Sequence, residues 1–311
     1  MDLRRIRHFV VLAETLNFRR AAERLHMAQP PLSVSIQKLE AELGTTLFTR
    51  DARGVALTPS GRAALAEARR MLFHAAQFSD AARSADSGTG GVLRVGFVGS
   101  TTFALLPRLV PIFRAEYPGV ELVLREATSA RILQWLDEEA LDVGLVRTPL
   151  LRHSGATLLP LEHDGFVAAL PRGNALAGKG PLRLAELAGE RFIMYAADEA
   201  AGLHSAAMSA CQLAGFVPRV AQEAIQVQTV LALVESGLGV ALVPSIMQRF
   251  ASERIVYREL EDYPAAAAIG LALAYRPDQQ SAAAQRFRDV AARVFPLPRA
   301  GRAPAHGAAA A

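Results

Sequence analysis

Cysteine is nearly absent: the 311-residue chain has one, Cys211. A single thiol cannot close an internal disulfide, which fits a reducing compartment. It leaves Cys211 as either a reactive thiol or a small buried hydrophobe. Long unbroken apolar runs are missing as well. The most apolar stretch, VQTVLALVESGLGVALVP, is interrupted by Glu235, Gly237 and Gly239, which makes it a poor membrane span. The N-terminal MDLRRIRHFVVLAETL spaces its apolar residues for one helix face, unlike a secretory signal, so a cytoplasmic protein without a membrane partner is expected. Common catalytic motifs are lacking too. No GxGxxG follows a strand-like run, and no GxxxxGK[ST] occurs. GFVGS ends on its serine, where a nucleophile elbow needs it at the centre. The seven histidines show no metal-ligand spacing with Cys, Asp or Glu, so neither metal nor cofactor is expected. Asp137, Glu138 and Glu139 are consecutive on a helix, point in different directions and read as a solvated face. An enzyme is the weaker reading.

What is present is a core-forming chain with an uneven charge. Half the residues are hydrophobic, and the length suits two or three domains. The net charge of +4 is concentrated at one end. Residues 1–86 carry thirteen Lys/Arg against nine Asp/Glu, whereas residues 87–311 carry twenty-one of each. A small basic domain at one end is the footprint expected for contact with a polyanion.

Local signals divide the first 86 residues into helices and one hairpin. Leu3, Ile6, Phe9, Val10 and Ala13 share a helical face. Asn17 reads as the cap of a short helix, FRRAAERL, and His26-Met27-Ala28 as a turn. A third helix spans about Pro30 to Leu43 and stops at Gly44. LFTR and VALT flank a polar turn, as in a β-hairpin. Thr58-Pro59 then opens a helix of about 25 residues to Asp86. Its seam of Leu65, Ala68, Leu72 and Ala75 has heptad-like spacing, which suits a partner helix. Packing on the chain's own body is the alternative.

The stretch AAERLHMAQPPLSVSIQKLE carries the first candidate site. On a helical wheel Leu32, Ile36, Leu39 and Leu43 face inward, while Val34, Gln37 and Lys38 face outward with Ser33 beside them. Gln29, Pro30 and Pro31 form the helix start, whose free N–H groups and positive dipole end suit phosphate. A short helix, a tight turn and a helix with a small polar outer face make a helix-turn-helix, and the hairpin makes it winged. Arg50 and Arg53 on the wing suit phosphate or the minor groove of double-stranded DNA. Val34 either touches a thymine methyl in the major groove or is an ordinary surface valine.

After SGTGG, a flexible linker at 87–91, strands and helices alternate in a βαβαβ rhythm that implies a parallel sheet. The tail at 297–311, rich in Pro, Ala and Gly, is expected to be disordered. Ligands of such sheets bind beyond the carboxyl ends of strands. There Ser100, Thr101 and Thr102 enter one helix, Thr128 and Ser129 enter another, Arg147 ends the third strand, and Gln228 and Thr229 start a helix from the far side. Singly, each hydroxyl is an ordinary helix cap. Together they make a cleft for a small carboxylate. A transport-type binding protein and a constitutive DNA-compacting protein are rivals. The first leaves the basic domain without a purpose, and the second leaves the cleft without one.

Residues 1 to about 88 resemble the DNA-binding domain of LysR-type transcriptional regulators through LRRIRHFVVLAE, NFRRAAERLHMAQPPLS, IQKLEAELGTTLFTR and LTPSGR. RVGFVGS with LLPRL, and VQTVLALVESGLGVALVP, extend the resemblance to about residue 296, towards the benzoate- and muconate-responsive branch. The resemblance implies an α/β chain: a winged helix-turn-helix at 1–58, a dimerisation helix at 59–86 with Leu65 and Leu72 in its seam, and a hinge at 87–91. A two-lobed, periplasmic-binding-protein-like effector domain follows at 92–296, with one lobe at about 92–161 and 269–296 and the other at about 162–268. It further implies a dimer of dimers, an operator with an interrupted T…A palindrome, and contact with RNA polymerase. A small-molecule inducer, an aromatic acid or dicarboxylate, is implied between the lobes, where Ser100 and Thr128 match carboxylate-holding positions. Two departures stand out. Val34 and Ser35 replace the usual Arg-Gln after PPLS, and Ala200, Ala201 and Leu203 replace a Pro/Phe-bearing pocket wall.

Overall fold

The computed structural model describes residues 2–51, 54–87, 90–152, 154–178, 182–249, 252–278 and 281–296. Arg53, at the expected wing tip, and the expected disordered tail lie outside the described residues. The chain divides into two compact units, one holding residues 1–91 and 137–140, the other 92–136 and 141–311.

In the first unit, helices α1 (Leu3–Thr15), α2 (Phe18–Arg24) and α3 (Gln29–Leu43) precede a hairpin of β1 (Phe48–Asp51) and β2 (Gly54–Leu57) and a long helix α4 (Pro59–Ser87). The local signals behave as their chemistry requires. Asp2 and Asn17 accept N–H bonds from Arg4 and Arg20 at the starts of α1 and α2. Thr58 accepts from the Gly61 N–H and donates to the Thr46 carbonyl, which fixes the start of α4 to the wing. The Glu40 carboxylate accepts from the N–H groups of Leu47 and Phe48, so the end of α3 anchors the first wing strand. Ile6, Phe9, Leu12, Leu32, Ile36 and Leu39 form the core, with the Phe9 and Phe48 rings edge to face at 5.6 Å. Each such burial contributes about 1.5–3 kcal/mol. Leu3 and Leu43, placed on inner faces by the wheel, are exposed at the helix ends.

The seam on α4 needs correction. Ala68 is buried in this core, and Leu65 and Leu72 pack against it, so the heptad-spaced face turns towards α4's own domain. Among the described residues, the large apolar side chains that α4 leaves exposed are Met71 and Phe78, the latter 78% accessible. The helix also runs through Ser87 and the next strand starts at Gly91, which narrows the linker expected at 87–91.

The second unit has two lobes. Strand β3 (Gly91–Phe97), helix α5 (Leu105–Glu116), β4 (Val120–Glu126), α6 (Ser129–Asp137), β5 (Val143–Thr148) and β6 (Thr157–Asp164) build the first. The second contains β7 (Phe166–Pro171), β8 (Arg191–Tyr195), α7 (Ala201–Leu213), β9 (Arg219–Ala224), α8 (Val227–Glu235), β10 (Ala241–Pro244) and β11 (Ile255–Arg258). The chain then returns to the first lobe through β12 (Ile269–Tyr275) and α9 (Ala282–Val294). The first sheet has the order β4-β3-β5-β12-β6. It is mixed, not parallel: β3 and β5 run together, while β12 is antiparallel to both β5 and β6. β6 pairs through Asp164, beyond the lobe boundary expected at 161. In the second lobe β7 is flanked by antiparallel β10 and β11, while β8 and β9 are parallel. Each lobe has its own core, one around Leu145, Phe113 and Phe287, the other around Phe192, Val230 and Leu242. Cys211 is fully buried in the second core, and burial pushes its thiol up to about 12. It therefore packs as a protonated hydrophobe, not a reactive thiol.

Candidate functional site

Two surfaces follow from these frameworks. On α3, Leu32, Ile36 and Leu39 are fully buried, which forces Val34, Gln37 and Lys38 outward. Val34 is 47% accessible. Gln29, Pro30 and Pro31 are exposed at the helix start, which has no side-chain cap. The two prolines lack N–H groups, so fewer donors remain for a phosphate than an ordinary helix start offers. Ser33 flanks this face: it is half-buried, and its hydroxyl accepts from Arg50 Nη1 at 3.3 Å. The Arg50 guanidinium also lies over the Phe18 ring, 4.6 Å from its centroid. Arg50 therefore ties the wing to α2 and α3 while remaining exposed. Ser35 turns inward, its Oγ 2.7 Å from Nδ1 of buried His8 on α1. Burial, followed by the charge of Arg4, holds the His8 imidazole below its ordinary value.

The other surface is a cavity of about 320 Å³ between the lobes of the second unit. Arg147, at the end of β5, lines it while only 5% accessible. Its Nη1 donates to Asp164 at 3.0 Å and its Nη2 to Ser100 Oγ at 2.8 Å. Its Nε is buried and has no hydrogen-bond partner among the described residues. Burial pulls the guanidinium down from its ordinary value, and Asp164 pushes back. Asp164 also accepts from the N–H groups of Gly165 and Ser245 and from the Ser245 hydroxyl, so the ion pair sits where the chain passes between lobes. The starts of α6, α7 and α8 all border the cavity, through Ser129-Ala130, Ala201-Gly202-Leu203 and Gln226-Val227. The starts of α7 and α8 have no side-chain cap, leaving backbone donors free for an anion. A β-carbon on Gly202 would stand 2.0 Å from the Pro149 carbonyl oxygen, so only glycine lets α7 close against the loop after β5. Most of the remaining wall is apolar, including Val98, Leu133, Leu150, Leu203 and Ile225.

The expected residues divide into those that reach the cavity and those that do not. Ser100, Thr128, Ser129, Arg147 and Leu203 line it. Ser129, however, exchanges hydrogen bonds with the Arg147 backbone, and Thr128 accepts weakly from the Arg131 N–H at 3.4 Å. Thr101 and Thr102 are corrected. They lie in a 3-10 turn, Gly99–Phe103, and donate back to the carbonyls of Val98 and Gly99. Short hydroxyl side chains compete for nearby backbone in this way, and α5 starts only at Leu105. Thr229 is exposed and does not line the cavity. Gln228 does not line it either, but its amide reaches Gly99, 3.0 Å from where a β-carbon would stand, with Glu126 on the same side. Asp164, Arg152, Asp198, Glu199 and Gln226 were missed. The rule that ligands sit beyond strand ends would have found Asp198 and Glu199, since they come three and four residues after the end of β8. Among the described residues no His, Cys, Asp and Glu group is arranged to hold a metal ion, and no helix is long and apolar enough to cross a membrane.

Comparison with known proteins identifies both domains of the chain. Residues 3–62 match the family described as "Bacterial regulatory helix-turn-helix protein, lysR family", and residues 86–296 match "LysR substrate binding domain". The chain is 34% identical to the transcriptional regulator AlsR of Bacillus subtilis over 287 residues, covering 92% of this chain and 94% of AlsR. It is 38% identical to CatR of Pseudomonas putida, covering 84% of this chain and 89% of CatR. Among solved structures it is similar to CbnR, a LysR family transcriptional regulator, with a TM-score of 0.77 and 25% identity over 95% of this chain and 99% of that one. It is also similar to CbnR complexed with its target DNA, with a TM-score of 0.75 and 26% identity over 94% of this chain and 100% of that one. Full-length BenM matches with a TM-score of 0.58 and 27% identity over 95% of this chain and 97% of that one. The chain belongs to the LysR family of DNA-binding transcriptional regulators, with a helix-turn-helix domain followed by a substrate-binding effector domain.

Proposed function

We propose that the effector domain is controlled by a small carboxylate held between its lobes. Aromatic acids and dicarboxylates are the first chemical classes to test. The observation that carries the reading is Arg147. A guanidinium 95% buried at the wall of an otherwise apolar cavity, with one N–H unpartnered and a serine hydroxyl in its grip, suits an anion of ligand size. The acid accepts from Ser100, Thr128 and the uncapped helix starts, and no resident metal or cofactor is needed. It acts only through its different affinity for two arrangements of the assembly.

On DNA, Val34 and Gln37 meet base edges in the major groove, while Lys38 and Arg50 hold phosphates or line the minor groove. Two copies pair through the outer face of α4, where Met71 and Phe78 stand one heptad apart and exposed, and two such pairs form the tetramer that engages RNA polymerase. A thermal-shift comparison of small acids with their primary amides tests the central reading. Acids should stabilise the full-length protein and matched amides should not. Equal stabilisation by the amides would refute a carboxylate site.

A further inference from the structure

The cavity has two chemically different ends. At its closed end stand Arg147 and Ser100, both under 10% accessible. At its open side the wall carries Asp198 and Glu199, the two residues that lead into α7, together with Arg152 after β5. All three are exposed, and none makes a side-chain hydrogen bond or ion pair among the described residues. An acidic pair before a helix would ordinarily serve that helix as cap or dipole partner. Here α7 has Ala200 as its N-cap, no side-chain cap bond and no acid in its first turn. The carboxylates are therefore not spent on the helix start.

The net charge of the wall decides what the cavity accepts. Arg147 is already matched by Asp164, so the closed end offers directed donors more than net positive charge. Among the exposed charged residues of the wall there are two carboxylates and one arginine, a net negative edge. A dicarboxylate seated with one group on Arg147 would bring its second group to that edge and meet repulsion. A cation or a strong hydrogen-bond donor at the same point would meet attraction.

We infer that the effector is amphoteric: a monocarboxylate with an apolar body and an ammonium or comparable donor at its far end, selected by Asp198 and Glu199. This rests on the carboxylate reading of the closed end. It narrows that reading by excluding dicarboxylates as the preferred class.

Matched acids that differ only at the far end provide the test. A rigid series is 4-ethylbenzoate, 4-(aminomethyl)benzoate and 4-(carboxymethyl)benzoate; a flexible one is hexanoate, 6-aminohexanoate and adipate. Each is titrated by calorimetry into the full-length protein and into the double variant Asp198→Asn/Glu199→Gln. Both substitutions lie at exposed positions. In the series that fits the cavity, the ammonium acid should bind about threefold to tenfold tighter than the neutral one, and the dianion weaker still, as expected for partly screened pairs. In the double variant the three affinities should converge to within about twofold. A dianion that binds the unmodified protein as tightly as the neutral acid overturns the inference. So does an order that survives unchanged in the double variant. If none of the six acids binds either protein, the carboxylate reading itself fails and the inference goes with it.

Discussion

Replacing Arg147 with methionine separates what the buried guanidinium does for stability from what it does for the ligand. The side chain is 5% accessible and pairs with Asp164 at 3.0 Å. Removing one partner of a buried pair costs about 3–5 kcal/mol, because the other charge stays behind uncompensated. Asp164 keeps its bonds from Gly165 and Ser245, so the lower end of that range applies, about 3 kcal/mol. For a unit of this size that lowers the melting temperature by about 6–12 °C. The double variant Arg147→Met/Asp164→Asn removes both charges and should recover at least half the loss, since no uncompensated buried charge remains and the Asn carbonyl oxygen can still accept from Gly165 and Ser245. Acid binding should be lost in both variants alike. Differential scanning calorimetry and a ligand titration on the same samples provide the two readouts. A double variant no more stable than Arg147→Met would show that the charge left on Asp164 is not the cause of the loss, and acid affinity retained without Arg147 would remove the guanidinium from the binding site.

Other perturbations test the first unit. Val34→Arg should change which operator is preferred, while Lys38→Ala should weaken all sequences alike; relative affinities across an operator panel, unchanged by Val34→Arg, would remove Val34 from base readout. Phe78→Glu should reduce self-association and operator affinity with little loss of stability, because the ring is exposed, whereas Leu72→Glu should unfold the winged domain it packs against; sedimentation and circular dichroism distinguish the two. His8 adds a pH dependence. Its folded-state pKa lies below the ordinary 6.5, so the unfolded chain binds the extra proton first. Its contribution is therefore complete above about pH 6.5 and is lost as pH falls below that, towards the lowered folded value. Denaturation at pH 7.5 and 5.5 should show a smaller difference for His8→Gln than for the unmodified protein, and equal differences would count against a neutral buried His8.

Much of the winged domain was legible because its signals are local. Asn17, Gly44 and Thr58-Pro59 mark helix ends within a few residues of where they act, and the Leu32-Ile36-Leu39 face fixes which side of α3 is outside. The inner face of α4 was misread because heptad spacing is the same whether the partner is another copy or the chain's own α1. The mixed sheet was not legible either. β12 joins β5 and β6 only after the chain has passed through the whole second lobe, and nothing in IGLALAY fixes its direction. At the cavity, strand-end reasoning found Ser100, Thr128 and Arg147, but could not see that Thr101 and Thr102 bond back to their own turn. Asp164 escaped because its importance lies in its distance from Arg147, seventeen residues earlier in the chain.

The most direct test of a carboxylate site between the lobes is a crystal structure of the full-length protein with an acid chosen by its thermal shift. Density for that acid is expected between the lobes, with its carboxylate within hydrogen-bonding distance of Arg147 or Ser100 and of Thr128 or the start of α6. An acid that stabilises the protein yet is found elsewhere, such as the basic cavity beside Arg4, Arg7 and His8 of the first unit, or one that lies in the cleft with its carboxylate turned away from Arg147, would contradict it.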